Sequence, residues 1–385
     1  MAKKKKTSQA SPEMPKEITK ENVGKIIERI EKEIKKCEDK EFNVYFYVID
    51  TKGVPSGSLL YIYKLAHELQ TLGYKVTMLH NEKDFVGVEQ WAEAKYAELP
   101  HASISDRKTT ISPSDFLVIP EIYTDIMSQT RDLNCKRVIL LQNFDYMTRI
   151  IPPGVHPYEY GITDVITNTK YNEELIHNNL PQMRTHIITP GISSAMFREN
   201  EQPKKMIVNF AVKDANDASR IVKPFFWKYP QLKWVTFAQL QNLPQEVFAN
   251  ALRDAAITIV VDDTMSFGYA ALEALKTGSI VICKIPENMP EWMLEKEELT
   301  NAIVWVDNLD EVADIIANLV AMWVRDDVPE ALYEEMAKVA KLHTMENMRE
   351  DVKKVFVDTL FVERKKELEE ALKKFNDNKE KTVEE

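Results

Sequence analysis

A strand, a loop, a helix, a glycine and a second strand follow one another between residues 257 and 283. The apolar run 257–261 leads through a loop into a helix, and Gly278 ends that helix before a second apolar run at 279–283. Two strands joined through a helix run parallel, because the crossover returns the chain to the same edge of the sheet. Ligands of such sheets bind outside the carboxyl ends of the strands. The loop at 262–268 is therefore predicted to lie at a ligand-binding edge.

This loop and its helix carry groups suited to a phosphorylated sugar. A helix N-terminus offers free N–H groups and the positive end of a dipole to a phosphate. Glu273 lies about one turn into the helix, where its carboxylate could accept hydrogen bonds from sugar hydroxyls. The alternative is that Glu273 is a solvated helix residue. The combination favours a nucleotide-sugar pocket that includes Ser266, Phe267, Gly268 and Glu273.

The same alternation of strands and helices extends over most of the chain, which favours an α/β fold with parallel sheets. In the first half the predicted strands are 44–49, 75–79, 116–119, 138–141, 165–167 and 186–189. In the second half they are 206–211, 234–237, 257–261, 279–283 and 303–306. Two units of this kind fit a chain of 385 residues.

The pattern divides the chain into five predicted parts. They are a disordered tail at 1–17, an amphipathic helix at 18–40, an α/β domain at 41–190, a second α/β domain at 191–328, and helices at 329–385 that pack back on the first domain. Lysines at positions 3–6 of the tail either contact anionic lipid, which allows peripheral membrane contact, or only keep the tail soluble.

Composition narrows the class of protein. A net charge of −11 argues against a general nucleic-acid coat. The three cysteines form no CxxC pair and fit a reducing compartment, so we predict a cytoplasmic protein. The cysteines and histidines show no metal-ligand spacing, and no apolar run approaches the ~18 residues of a membrane span.

Four segments together resemble a known family. They are the glycine loop 56–58 with the helix and strand at 65–76, the segment Thr189-Pro190-Gly191-Ile192 with Phe197, the motif at 267–281, and Met289-Pro290-Glu291. Their order and spacing are similar to those of the GT-B glycosyltransferases, in which two Rossmann-like domains face each other across a cleft. The closest group is the GT4 family of retaining enzymes.

The resemblance implies a metal-independent hexosyltransferase-type enzyme that needs no cofactor and uses a nucleoside-diphosphate sugar. Its donor site would lie in the second domain, with Glu273 on the ribose and Lys213 and Arg220 on the diphosphate. Asp145 and His156 would serve the acceptor side as catalytic residues. The acceptor would be a glycan, a lipid-linked glycan or a macromolecule.

The cleft loop at Gly57 and Ser58 would let backbone N–H groups approach a ligand. The alternatives for these residues are structural. Gly57 and Ser58 would form a turn in which Ser58 caps the following helix. Lys213 and Arg220 would be surface cations near aspartates, and His156 would be a structural residue of a proline-rich loop.

The chain departs from the GT4 pattern in two places. One is the pair of phosphate-binding cations, since Ala211-Val212-Lys213 stands where the family has glycine-arginine, and the other is a glutamate. Family members carry two glutamates eight positions apart, and here Met265 stands in place of the first. The segment 141–145 is similar to a rhamnosyltransferase-like branch that also lacks this glutamate. Met265 and the missing glycine-arginine pair motivate an alternative, a GT-B-like binding or structural protein without turnover. A further alternative is an epimerase-type enzyme on the same scaffold.

Overall fold

The computed structural model describes residues 20–384 apart from residues 213 and 297. The described chain forms two lobes, each built around a parallel β-sheet covered by helices. This confirms the predicted α/β fold class. The predicted tail at 1–17, with its lysines, lies outside the described residues, and so does Lys213.

The first lobe contains a seven-stranded sheet in the order β3-β2-β1-β4-β5-β6-β7, with every neighbouring pair parallel. Its elements are α1 (Lys20–Glu38), β1 (Asn43–Tyr47), α2 (Gly57–Thr71), β2 (Lys75–His80), α3 (Ala94–Ala97), β3 (His101–Ser103), β4 (Phe116–Pro120), α4 (Thr124–Gln129), β5 (Lys136–Leu141), α5 (Phe144–Ile150), β6 (Asp164–Thr167), α6 (Lys170–Asn179) and β7 (Arg184–Ile187). Because all strands are parallel, the loops that follow them meet at one edge.

The second lobe contains a five-stranded parallel sheet in the order β14-β11-β10-β8-β9. Its elements are β8 (Lys205–Val212), α7 (Ala215–Lys228), β9 (Thr236–Gln239), α8 (Gln245–Asp254), β10 (Ala255–Val261), α9 (Tyr269–Lys276), β11 (Ile280–Lys284), the hairpin strands β12 (Leu294–Glu295) and β13 (Glu298–Leu299), β14 (Ile303–Val306), α10 (Val312–Val324) and α11 (Glu330–Ala340).

The chain then returns to the first lobe. It forms α12 (Met345–Val352), a π-helical segment at Lys353–Leu360 and α13 (Phe361–Glu384). Phe361 lies edge-on to Phe42 and to Phe116, with ring centroids 4.8 Å apart in both pairs. The C-terminal helices therefore complete the apolar core of the first lobe, because an aromatic ring buries a large apolar surface there.

Two chain crossings connect the lobes and lie side by side. The first follows β7, and the second lies between α11 and α12. Ile192 forms an isolated parallel bridge with Thr344, and its N–H donates to the His343 carbonyl at 3.2 Å. Gly191 is required at this point, since a Cβ there would lie 2.7 Å from the Thr344 carbonyl oxygen. This pair of crossings forms the hinge between the lobes.

Candidate functional site

A cavity of about 360 Å³ lies between the lobes. The first lobe contributes Gly57, Ser58, Gln142, Asn143 and Tyr146, which follow β1 and β5. The second lobe contributes the ends of β8 and β10, Leu240 after β9, Phe248 of α8, Asp262 and residues 264–270. The cavity therefore lies at the carboxyl ends of both sheets, which is where open α/β sheets bind ligands.

The loop after β1 brings the first lobe close to the second. Gly57 begins α2 and Ser58 follows it, and both line the cavity. A Cβ on Gly57 would lie 3.6 Å from the Tyr269 ring, so the lobes meet here. The alternative in which Ser58 caps α2 is wrong, because the cap is Ser56, whose Oγ accepts the Leu59 N–H at 3.3 Å.

The loop after β10 forms the opposite wall. Met265 and Phe267 are buried in the second lobe while also lining the cavity. Gly268 precedes α9 with φ +79°, and a Cβ there would lie 2.8 Å from the Met265 Sδ and 2.9 Å from the Trp292 ring. A glycine is needed both for the left-handed backbone and for the space. Met265 presents an apolar wall where the GT4 pattern has a carboxylate.

Ser266 joins this loop to the first lobe. Its Oγ donates to the Gln142 carbonyl and accepts a hydrogen bond from Asn168 Nδ2 at 2.9 Å. Asn143 Nδ2 donates to the Thr264 carbonyl at 3.2 Å. We did not predict Gln142, Asn143 and Asn168 as site residues. The sequence signal that could have indicated them is their position, since these polar residues directly follow the apolar strands β5 and β6.

Glu273 does not line the cavity but faces the boundary between the lobes. Burial raises the pKa of Glu273 to about 7, and the charge of Lys64 on α2 opposes this rise. Lys64 is itself buried, and its Nζ donates to the Gly191 carbonyl at 2.8 Å. The alternative of a solvated Glu273 is wrong, since only 7% of the residue is exposed. No sequence pattern indicated Lys64, which lies on another domain.

Asp145 lies at the seam between the lobes, whereas His156 has a local role. Asp145 Oδ2 accepts a hydrogen bond from Asn288 Nδ2 of the second lobe at 3.1 Å. His156 caps a short 3₁₀ turn, with Nδ1 accepting the Tyr158 N–H at 3.1 Å and the Glu159 carboxylate accepting the His156 N–H at 3.0 Å. The structure brings Asp145 near the cavity residues Asn143 and Tyr146 but leaves His156 outside the cavity lining.

Arg220 is placed away from the cavity. Its guanidinium lies 3.9 Å from an Asp217 oxygen and 3.8 Å from an Asp310 oxygen, and more than half of the side chain is exposed. Lys213 lies outside the described residues, but Val212, which precedes it, lines the cavity. No lysine or arginine is among the described cavity residues.

Within residues 20–384, apart from the two positions left out, no group of three or more His, Cys, Asp or Glu residues is arranged to hold a metal ion. None of the helices described is long and apolar enough to span a membrane.

Several solved structures share the fold. A sucrose-phosphate synthase from Thermosynechococcus elongatus superposes with a TM-score of 0.56 at 12% identity, covering 82% of this chain and 98% of that chain. The pneumococcal O-GlcNAc transferase GtfA in complex with UDP and GlcNAc gives 0.56 at 10% identity, covering 83% and 99%. An alpha-glucosyltransferase in complex with UDP and a 13-mer DNA containing a HMU base gives 0.52 at 10% identity, covering 84% and 99%.

These similarities show the fold, which is the predicted GT-B arrangement of two Rossmann-like lobes facing across a cleft. No family model matches the sequence, and no curated protein matches it.

Proposed function

We propose that this protein is a glycosyltransferase that binds a nucleoside-diphosphate sugar in the interlobe cavity and transfers the sugar to an acceptor. The observation that carries the proposal is the cavity itself, which lies at the carboxyl ends of both parallel sheets and between two helix N-termini. The solved structures of similar fold include two transferases in complex with UDP, which supports the same class of donor here.

The second lobe supplies a place for the nucleobase. The cavity is lined by Val260 at the end of β10, Leu240 after β9 and Phe248 of α8, which form an apolar wall. A base has two flat faces that pack well on apolar and aromatic side chains. In this proposal the base lies against Phe248.

Helix N-termini supply the positive potential for the diphosphate. Gly57 and Ser58 begin α2, while Gly268 precedes the first turn of α9, and all three line the cavity. The free N–H groups of a first helical turn and the helix dipole favour an anion. We assign the diphosphate to these N–H groups, with Lys213 as a cation beside Val212. Arg220 is left out, because Asp217 and Asp310 hold it elsewhere.

Glu273 is assigned to the ribose. Ala270 lines the cavity and Glu273 lies three residues further along α9, so both lie on the same face of the helix. The Glu273 carboxylate accepts no hydrogen bond from the described residues, which leaves its oxygens available to two hydroxyls once the donor is bound. Lys64 keeps the negative charge of Glu273 balanced in the buried boundary.

We assign the acceptor side to Asp145 rather than to His156. Asp145 lies in the first turn of α5, between the cavity residues Asn143 and Tyr146 in the chain, whereas the His156 Nδ1 is already used in a cap. Asp145 would orient the acceptor hydroxyl while the bond between the sugar and the diphosphate breaks. The motif at 267–281 supports retention of configuration without a metal. The acceptor is a glycan, a lipid-linked glycan or a macromolecule.

A second candidate function is a binding protein of the same fold without turnover. Met265 favours it, because an apolar side chain replaces the carboxylate expected to reach the donor sugar. The absence of lysine and arginine from the described cavity residues favours it too, since a leaving diphosphate needs compensating charge.

The test has two stages. The melting temperature is measured with UDP, GDP and dTDP and with their glucose derivatives, because a ligand that binds only the folded state raises it. A nucleotide sugar that stabilises the protein is then incubated with it, and released nucleotide is measured. Stabilisation with release supports the transferase. Stabilisation without release, across a panel of acceptors, supports the binding protein.

A matched pair of variants ties the result to the cavity. Phe248→Ala should remove most of the stabilisation, while Val247→Ala, an exposed neighbour on the same helix, should preserve it. If no nucleotide or nucleotide sugar changes the melting temperature, the proposal fails.

A further inference from the structure

Glu121 is a buried carboxyl group that none of the assignments above uses. It follows β4 directly, and only 3% of the residue is exposed. Burial raises the pKa of Glu121 to about 7, although backbone N–H groups that donate to it oppose the rise. A carboxylate buried without a basic partner is costly, and no lysine, arginine or histidine of the described chain forms an ion pair with Glu121. Its contacts must therefore repay that cost.

Those contacts all converge on one turn. The Oε1 atom of Glu121 accepts the N–H of Gln142 at 3.2 Å and the N–H of Asn143 at 3.1 Å. Two successive peptide groups are thus held by a single oxygen, which fixes the orientation of the turn after β5. Bonds from N–H groups to a carboxylate are stronger than bonds to a neutral acceptor.

The same turn holds the second lobe. The Gln142 carbonyl accepts the Ser266 hydroxyl, and Asn143 Nδ2 donates to the Thr264 carbonyl. Asn168 completes the contact by donating to Ser266 Oγ. We call Gln142, Asn143, Asn168, Thr264 and Ser266 the interlobe clasp.

We propose that Glu121 is a positioning residue that fixes the interlobe clasp, and that the clasp holds the loop at 264–268 as the wall of the donor cavity. The inference rests on the proposed function only in naming this wall as part of a donor site. Gln142, Asn143 and Ser266 belong to the clasp and also line the cavity. The contact between the lobes and the wall of the cavity are therefore built from the same residues.

The clasp also changes the role expected for Ser266. A serine hydroxyl has one proton to donate, and in Ser266 that proton goes to the Gln142 carbonyl. Ser266 therefore cannot donate its side-chain proton to a diphosphate while the clasp is formed. Its side chain connects the two lobes, so a diphosphate would be bound by the backbone N–H groups of the loop instead.

The test compares Glu121→Ala, Glu121→Gln and Ser266→Ala with the wild-type protein by hydrogen exchange without any ligand. The control is Glu174→Ala, an exposed carboxylate on α6 of the same lobe. We expect Glu121→Ala and Ser266→Ala to speed the exchange of the Thr264 and Leu272 amides, which donate to Asp262 and to the Gly268 carbonyl at the two ends of the loop, at least tenfold while amides of β4 and β5 keep their protection. Glu121→Gln should restore most of the protection, because its amide oxygen can accept both N–H groups that Oε1 accepts.

Two outcomes would overturn the inference. One is unchanged exchange of the Thr264 and Leu272 amides in Glu121→Ala. The other is an equal rise across the whole first lobe in Glu121→Ala, together with no local rise in Ser266→Ala, which would make Glu121 a residue of general stability only. Because the exchange experiment contains no nucleotide sugar, it can detect the interlobe clasp even if the protein binds no nucleotide sugar. Conversely, nucleotide binding without a clasp leaves the proposed function intact.

Discussion

Lys64 and Glu273 place opposite charges on the two sides of the boundary between the lobes, Lys64 on α2 and Glu273 on α9. Burial lowers the pKa of Lys64 and raises that of Glu273 to about 7, and in each case the charge of the partner opposes the effect of burial. Lys64 also donates to the carbonyl of Gly191 at 2.8 Å. One lysine therefore joins α2, the hinge and the helix that carries the proposed ribose ligand.

Lys64→Met is expected to destabilise the folded protein. It leaves Glu273 buried without a nearby positive charge and the Gly191 carbonyl without its hydrogen bond, and a buried group left unpaired typically costs about 1–3 kcal/mol. The free energy of unfolding in urea measures this loss. The double variant Lys64→Met with Glu273→Gln should recover part of it, because no charge is then left unpaired. Losses that simply add in the double variant would contradict the coupling between the two residues.

Glu273→Ala tests the ribose assignment separately. Loss of a charged acceptor should weaken nucleotide binding by about 1–3 kcal/mol, which calorimetry measures with whichever nucleotide stabilises the wild-type protein. Glu295→Ala is the control, since Glu295 is an exposed carboxylate of the same lobe. An unchanged affinity in a folded Glu273→Ala protein would exclude contact with the ribose.

Gly268→Ala should distort the cavity wall. The new Cβ would need the left-handed backbone at φ +79° and would lie within 3 Å of Met265, Trp292 and Met293. Gly73→Ala is a matched control, with φ +84° but no atom within 4 Å of the new Cβ. Backbone strain alone costs about 1 kcal/mol, so Gly268→Ala should lower the free energy of unfolding further and abolish nucleotide-dependent stabilisation. Equal effects of the two variants would show that the packing around Gly268 is unimportant.

Much of the fold could be predicted because its strands are apolar runs bounded by polar residues and glycines. β14 (Ile303–Val306) was predicted with its observed bounds, and β10 and β11 within two residues. β3 (His101–Ser103) was not predicted, because three residues with one buried side chain give no periodic signal. The π-helical segment at Lys353–Leu360 was predicted as ordinary α-helix, since a π-helix and an α-helix of this length show the same apolar stripe in the sequence.

The site was less predictable than the fold. Loops after strands could be assigned to the cleft from topology alone, which placed Gly57 and residues 266–268 at the cavity. Lys64 and Glu121 could not be assigned, since their roles depend on partners in other segments of the chain, with Lys64 and Glu273 more than 200 positions apart. His156 was predicted as a catalytic residue because the sequence does not show whether a histidine ring caps a turn, as in the structure, or faces a cavity.

Asp164 at the start of β6 connects the first sheet to the C-terminal helix. It is fully buried, with its oxygens 3.0 Å from Lys136 Nζ, 2.8 Å from the Arg184 guanidinium and 3.2 Å from His186 Nε2. Lys136 in turn lies 2.8 Å from a carboxylate oxygen of Glu367 on α13. Burial alone would raise the pKa of Asp164, but the hydrogen bond that it accepts from His186, the charge of Lys136 and the hydrogen bonds from Arg184 and Lys136 lower it well below its ordinary value.

Asp164→Asn should therefore destabilise the protein in a pH-dependent way. At neutral pH the loss should be about 3–5 kcal/mol, because Lys136 loses a buried counter-charge. The folded pKa of Asp164 lies below the unfolded value near 3.8, so this contribution is fully present above 3.8 and is lost progressively as the pH falls from there through the lower, folded pKa. Urea unfolding at pH 7, 5 and 3 should show that the difference in the free energy of unfolding between wild type and variant shrinks at the lowest pH.

The control is Asp254→Asn, which removes an exposed pair with Lys205 and should cost under about 1 kcal/mol at every pH. A loss for Asp164→Asn as small as this control would mean that the buried ion pairs do not stabilise the docking of α13.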